Sequence, residues 1–250
     1  MTNLDFLNRP RSDLANAFLA LAAYLLVLIA ADRIFGGLPG DWSYALTYLL
    51  VLPVAFFATR YGALAVRSDA RPVTEGTAMA FAALIALLAL GGSKPAIAGT
   101  FAHLPAAIVA AAAMALGEEL LFRGSLLPAL GKRFGFGVAL VISAGLSGAL
   151  SLDAGTAQGV AAFFAGLAMG GLYLRSGLGS CIAFHCIFNL LIGPAFGLSL
   201  DGVSWPGLLK PVWQADPLGF WPVQAAWLVL ALAWAPLGAK LPRLASNGRP

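Results

Sequence analysis

The stretch from Leu104 to Leu130, LPAAIVAAAAMALGEELLFRGSLLPAL, decides the fold of this chain. It is longer than the roughly 20 residues that cross a bilayer core, and its charged residues are Glu118, Glu119 and Arg123. An ionised side chain in hydrocarbon is costly, so ionisable residues inside a spanning helix usually face a polar cavity and serve a function. The stretch therefore predicts a membrane helix with a functional site inside it.

The two carboxylates of this stretch occupy different faces of the predicted helix. Glu119 and Arg123 are four residues apart and can pair on one face, whereas Glu118 is rotated about 100° away. We therefore expect Glu119 to be held by Arg123 and Glu118 to be available to accept a proton from water. The alternative is a helix end at which these side chains extend to the lipid headgroups.

The composition excludes a soluble globular protein. Hydrophobic residues make up 60% of the chain and charged residues 10%, with a mean hydropathy of +0.86, whereas a soluble domain has about 25% charged residues. We predict an all-α, polytopic membrane protein whose first span is retained, because the start from Met1 to Asp13 is polar and does not resemble a cleaved leader. The net charge of +4 is explained by basic cytoplasmic loops, and we expect no nucleic-acid partner.

The apolar segments predict about eight transmembrane helices in three regions. Residues 1–100 hold about three N-terminal helices, residues 101–200 a core of four, and residues 201–250 an interfacial loop, a final helix and a cytoplasmic tail. The predicted spans are Leu14–Phe35, Trp42–Ala58, Thr77–Leu90, Leu104–Leu130, Phe136–Leu152, Gly155–Leu174, Leu178–Leu198 and Phe220–Leu237.

The basic residues predict the orientation of these spans. Of the 15 lysines and arginines, all but Arg33, Lys94 and Lys210 fall on the side of the amino terminus. Cytoplasmic loops carry the excess of lysine and arginine. We expect a multi-pass protein of the inner (plasma) membrane with both termini in the cytoplasm.

A second polar cluster lies in the seventh predicted span, in the stretch CIAFHCIFN from Cys181 to Asn189. Cys181, His185 and Asn189 recur every four residues and so share one helix face. An imidazole and an amide on that face can bind a metal, orient water or donate a hydrogen bond to an oxyanion. The alternative is a buried histidine whose hydrogen bonds are purely structural.

Together these two clusters resemble a known family. Glu118-Glu119-x-x-x-Arg123, followed about sixty residues later by His185-x-x-x-Asn189, is similar to the first and last motifs of the intramembrane CAAX-processing and bacteriocin-processing proteases. This family is also called the abortive-infection or type II CAAX prenyl endopeptidase family. The resemblance covers roughly Leu104 to Asn189, with flanking residues LFRGSLLP at 121–128 and GLYLRSG at 171–177.

The resemblance implies roles for five residues. Glu118 is expected to activate the hydrolytic water, and Glu119 with Arg123 to brace the site. His185 and Asn189 are expected to hold a metal or stabilise the oxyanion. On this basis Glu118 and His185 are candidate ligands for a zinc ion.

The middle motif departs from the family pattern. Members carry Phe-x-x-x-His on the next span, whereas Ser147 and Ser151 stand at the matching positions here. A serine hydroxyl replaces imidazole neither as a general base nor as a good zinc ligand. We keep Ser151 as a candidate site residue beside Glu118, and Cys181 as a candidate compensating ligand.

The predicted function is that of a CAAX-protease-like intramembrane endopeptidase, a hydrolase of the glutamate or metalloprotease type. Its expected substrate is a membrane-embedded or lipid-tethered peptide or protein. The missing histidine leaves open a catalytically inactive relative that serves as a membrane scaffold or regulator. A third alternative is a transporter or channel that uses the carboxylates as a proton relay.

Overall fold

The computed structural model describes residues 10–38, 40–61, 70–90, 94–97, 104–196 and 209–212. Nearly all of these residues are helical. The α-helices are α1 (Pro10–Phe35), α2 (Gly40–Tyr61), α3 (Ala70–Leu90), α4 (Leu104–Leu121), α5 (Leu127–Phe134), α6 (Phe136–Leu150), α7 (Thr156–Ser176) and α8 (Leu178–Leu190). Two π-helical segments, Phe122–Leu126 and Leu191–Ala195, and a 3₁₀ turn, Leu152–Ala154, complete the helical part.

The described helices make this chain a multi-pass membrane protein by length and composition. Five are long and apolar enough to cross a membrane: Asp13–Phe35, Trp42–Thr59, Leu104–Phe134, Gln158–Ser176 and Leu178–Ala195. Two more apolar helices, Val73–Ile85 and Phe136–Leu150, are shorter. The predicted count of eight is not confirmed, and the eighth predicted span, Phe220–Leu237, lies outside the described residues.

The described helices confirm the predicted all-α class, and one short pair of strands accompanies them. Strand β1 (Lys94–Ile97) pairs antiparallel with strand β2 (Leu209–Val212), and Pro95 lies opposite Pro211. Each strand contains a Lys-Pro step, and a residue that precedes proline favours extended backbone. Proline also cannot continue a helix, which explains extended structure between apolar helices.

Contacts between helix ends show which ends share a side. Lys132 at the end of α5 contacts Asp13 near the start of α1, with Nζ 3.0 Å from Oδ2. Arg175 at the end of α7 contacts Glu75 near the start of α3, with Nε 3.2 Å from Oε1. The paired strands follow the ends of α3 and α8. These contacts fit the alternating crossings that the sequence predicts, including a crossing by the short helix α6.

The ion pairs show which helix ends share a side, and the distribution of lysine and arginine assigns that side to the cytoplasm. Reporter domains fused after Gly131, beside Lys132 and Arg133, should report a cytoplasmic location. A fusion within the outer connection, at Lys94, is the matched control and should report the opposite side. Protease protection of tagged protein in sealed vesicles gives an independent measurement. A periplasmic signal from the Gly131 fusion would reverse the orientation of every helix.

The packing of α4 places it at the centre of the helical bundle. It contacts both α2 and α8, and α8 in turn contacts α3. Small residues make the close approach possible, since Ala106, Ala107, Ala110 and Ala111 of α4 are all buried. Helices in membranes associate through such small residues. The two helices that carry the candidate site therefore lie side by side.

Helices α6 and α7 approach each other closely through glycines. A Cβ added at Gly166 would lie 2.9 Å from Ala144 Cα, and one at Gly159 would lie 3.0 Å from the Gly148 carbonyl oxygen. Any larger residue there would force the helices apart. These two glycines therefore have a packing role. Gly155 has φ of +116° and instead caps the start of α7.

Candidate active site

A π-helical segment directly follows the two glutamates. The helix that begins at Leu104 widens at Phe122–Leu126, where the Leu127 N–H donates to the Phe122 carbonyl, before α5 continues. Pro128 lies just beyond and cannot donate a hydrogen bond to the preceding turn, which favours this widening. Such π-helical turns are frequent at functional sites. A second π-helical segment, containing Pro194, follows His185 and Asn189 on α8.

The predicted pair between Glu119 and Arg123 is present. Arg123 Nη1 donates to Glu119 Oε1 over 2.9 Å, with Glu119 fully buried and the Arg123 side chain 5% exposed. Arg123 Nη2 donates to the Gly166 carbonyl of α7 over 3.2 Å. The guanidinium therefore neutralises a buried carboxylate and links the central helix to α7. Gly166 is absent from the sequence-based site because a backbone acceptor leaves no signal in a motif.

His185 brings the second motif to the first. Its Nδ1 lies 2.8 Å from Glu119 Oε1, and its Nε2 lies 4.0 Å from Glu118 Oε2. If Nδ1 carries the proton and donates it to Glu119, Nε2 becomes an acceptor that faces Glu118. The imidazole thus lies between two carboxylates, one buried and one 29% exposed.

The separation between His185 and Glu118 suits a small polar molecule. At 4.0 Å the two atoms are too far apart for a direct hydrogen bond, but one water can bond to both. Because Glu118 is the more exposed carboxylate, it is the one that solvent and substrate can reach. The two motifs therefore hold Glu119 as a buried carboxylate paired with Arg123 and leave Glu118 as an accessible carboxylate beside the His185 imidazole.

Asn189 lies one helical turn beyond His185 and is buried, 3% exposed. Its Nδ2 has no hydrogen-bond partner among the described residues. A buried amide donor without an acceptor is rare in folded proteins and calls for an explanation. An amide donor on the same helix face as the imidazole is suited to a substrate carbonyl or an oxyanion.

Ser151 is not joined to this cluster by any contact among the described residues. It caps the end of α6, and its hydroxyl donates to the Ser147 carbonyl over 3.2 Å. Such a bond back to the preceding turn is common for serine in helices. The proposed part of Ser151 in the site stays a prediction.

The described residues do not form a complete zinc site. Catalytic zinc takes three protein ligands, and no group of three histidines, cysteines or acidic residues suited to a metal occurs in the part of the chain that the structure describes. Glu118 and His185, whose Oε2 and Nε2 atoms lie 4.0 Å apart, are the two predicted ligands. Cys181, the candidate third ligand, is buried with its thiol directed to the Met169 carbonyl, 3.3 Å away.

One polar side chain beside the site was missed by the sequence analysis. Tyr24 of α1 is 4% exposed, and a Cβ added at Gly117 would lie 3.3 Å from its hydroxyl oxygen. Its position in the sequence could have identified it. Tyrosine in membrane helices prefers the interfaces, whereas Tyr24 lies near the middle of the first span.

One family model matches part of this chain. Residues 99–191 match the family model of the type II CAAX prenyl endopeptidase Rce1-like proteins, which covers both motifs and the helices between them. Over that region the chain is similar to this family of CAAX-type intramembrane proteases, and the resemblance drawn from the motifs is confirmed. No curated protein matches the chain.

Proposed function

We propose that this protein is an intramembrane endopeptidase that hydrolyses a peptide bond in a membrane-embedded or lipid-tethered substrate. The observation that carries the proposal is the position of His185 between the two glutamates, with Glu119 2.8 Å and Glu118 4.0 Å away. The similarity of residues 99–191 to the protease family supports this reaction class. The burial of the cluster inside apolar helices supports the substrate class, because a membrane-bound chain readily reaches that depth.

In the proposed reaction Glu118 accepts a proton from a water that is also hydrogen-bonded to His185 Nε2. The water oxygen forms a bond to the carbonyl carbon of the scissile peptide, and the carbonyl oxygen becomes an oxyanion. The Asn189 amide donates a hydrogen bond to that oxyanion. The carbon–nitrogen bond then breaks, and the proton held by Glu118 passes to the departing amine.

Glu119 and Arg123 take no proton in this scheme. Glu119 accepts hydrogen bonds from Arg123 and from His185 Nδ1 through the same oxygen. This fixes the imidazole ring and leaves Nε2 as the acceptor, as a carboxylate does for a catalytic histidine elsewhere. Their role is to orient His185 and hold the central helix to α7.

A non-catalytic scaffold is the second candidate, and the middle motif favours it. Ser147 and Ser151 replace the expected aromatic and histidine, and the Ser151 hydroxyl bonds to its own helix. A scaffold, however, does not require a hydrogen-bonded imidazole between two carboxylates at depth, where every ionisable group is costly.

Cleavage of a tethered peptide distinguishes the two candidates. The full chain, reconstituted in vesicles, should cleave peptides carrying a C-terminal lipid anchor and should cleave the same peptides without the anchor far more slowly. A protein with both Glu118→Gln and His185→Gln is the inactive reference, and mass spectrometry of the products identifies the bond. If the full chain yields no more product than this reference across a library of anchored peptides, the endopeptidase proposal fails.

A further inference from the structure

Tyr24 has an environment that its packing role alone does not explain. The side chain is 4% exposed, and its hydroxyl has no hydrogen-bond partner among the described residues. A buried hydroxyl without a partner costs about 1–3 kcal/mol. A phenylalanine would fill the same space without that cost, so the hydroxyl calls for a function.

The position of this hydroxyl points to the candidate site. Its oxygen would lie 3.3 Å from a Cβ at Gly117, the residue directly before Glu118, and the neighbouring ring carbon would lie 3.5 Å from that Cβ. Glycine at 117 therefore leaves the space that the phenol occupies. The charge of Glu118, the next residue along the helix, also acts on the Tyr24 phenol.

Glu118 is the side chain that can meet this donor. It is partly exposed, in contrast to Glu119, and its carboxylate lies 4.0 Å from His185 Nε2. A glutamate side chain has rotatable bonds, so its carboxylate can turn toward a donor beside residue 117. A carboxylate that accepts a hydrogen bond from a neutral donor is fixed in orientation without being neutralised.

We infer that Tyr24 is a positioning residue for Glu118, donating its phenolic hydrogen bond to that carboxylate and holding it in place to accept a proton from the water. The catalytic role of Tyr24 rests on the proposed function, whereas its contact with Glu118 does not. It also gives the first helix, which lies outside the region matched to the family model, a part in the site.

The test compares two variants that each remove a buried hydroxyl without a described partner. Tyr24→Phe removes the phenolic hydroxyl, and Thr47→Val removes the Thr47 hydroxyl of α2, which is equally buried and unpartnered. If Tyr24 positions Glu118, Tyr24→Phe should lower kcat about 10- to 100-fold with KM changed less than about twofold. Thr47→Val should leave both values unchanged. Gly117→Ala, which crowds the hydroxyl, should lower kcat in the same direction.

A second measurement needs no protease activity. Tyr24→Phe is introduced into the wild-type protein and into the Glu118→Gln variant. The thermal midpoint Tm of all four proteins is measured in detergent. Coupled side chains are non-additive, so the change in Tm should differ between the two backgrounds by about 2 °C or more. Thr47→Val should give the same change in both backgrounds.

The outcomes separate this inference from the proposed function. If the wild-type chain cleaves nothing, the endopeptidase proposal fails and the Tm cycle alone decides whether Tyr24 contacts Glu118. Additive Tm changes together with unchanged kcat would overturn the inference. A Tyr24→Phe protein that is less stable and has a lower kcat and a higher KM, with no coupling to Glu118, would also overturn the inference. The effect of the substitution would then be purely structural.

Discussion

Glu118→Gln should abolish hydrolysis while leaving the fold intact. The substitution keeps the shape of the side chain and removes its ability to accept a proton, which is worth about 10²- to 10⁴-fold in rate. Folding should change little, because Glu118 is partly exposed and lies 4.0 Å from His185 rather than in a close ion pair. The measurement is the rate of tethered-peptide cleavage, with Tm as the test of folding.

The chain offers a matched control for this substitution. Glu75 is also a partly exposed glutamate of an apolar helix, but it contacts Arg175 and Ser176 at the helix ends. Glu75→Gln makes the same chemical change away from the site and should retain cleavage. Equal cleavage by the Glu118→Gln and wild-type proteins would remove the catalytic interpretation and favour the scaffold.

The local part of the site was predictable from the sequence. Side chains four residues apart on a helix are neighbours, so the pair between Glu119 and Arg123 follows from the spacing and is confirmed at 2.9 Å. The pair survives the π-helical segment because the widening begins only at Phe122. The contact between His185 and Glu119 joins residues 66 apart; periodicity places each on its helix face, and packing of α8 on α4 brings them together.

Other features depend on packing that no motif encodes. The Gly166 carbonyl that accepts from Arg123 is a backbone atom, so its position depends on how α7 crosses the bundle. Tyr24 comes from a helix some ninety residues earlier in the chain. The strand pair arises from two separate loops, each too short to be predicted as a strand from its own apolar pattern.

Arg123→Ala should cause the largest loss of stability of any single substitution in the site. It leaves a fully buried carboxylate at Glu119 without its cation and removes the hydrogen bond to Gly166 of α7. Removing one partner of a buried ion pair costs about 3–5 kcal/mol. We expect low expression and aggregation in detergent, measured by size-exclusion chromatography and thermal unfolding.

Two further variants assign that loss to the buried charge. Lys132→Ala breaks the ion pair with Asp13, whose lysine side chain is 36% exposed, and should cost about 0–1 kcal/mol, as exposed pairs do. Adding Glu119→Gln to Arg123→Ala removes the uncompensated charge and should recover part of the stability, because an unpaired buried charge is costlier than a neutral amide. If Arg123→Ala is as stable as Lys132→Ala, or if the added Glu119→Gln recovers nothing, then the ion pair does not hold α4 and α7 together as its geometry indicates.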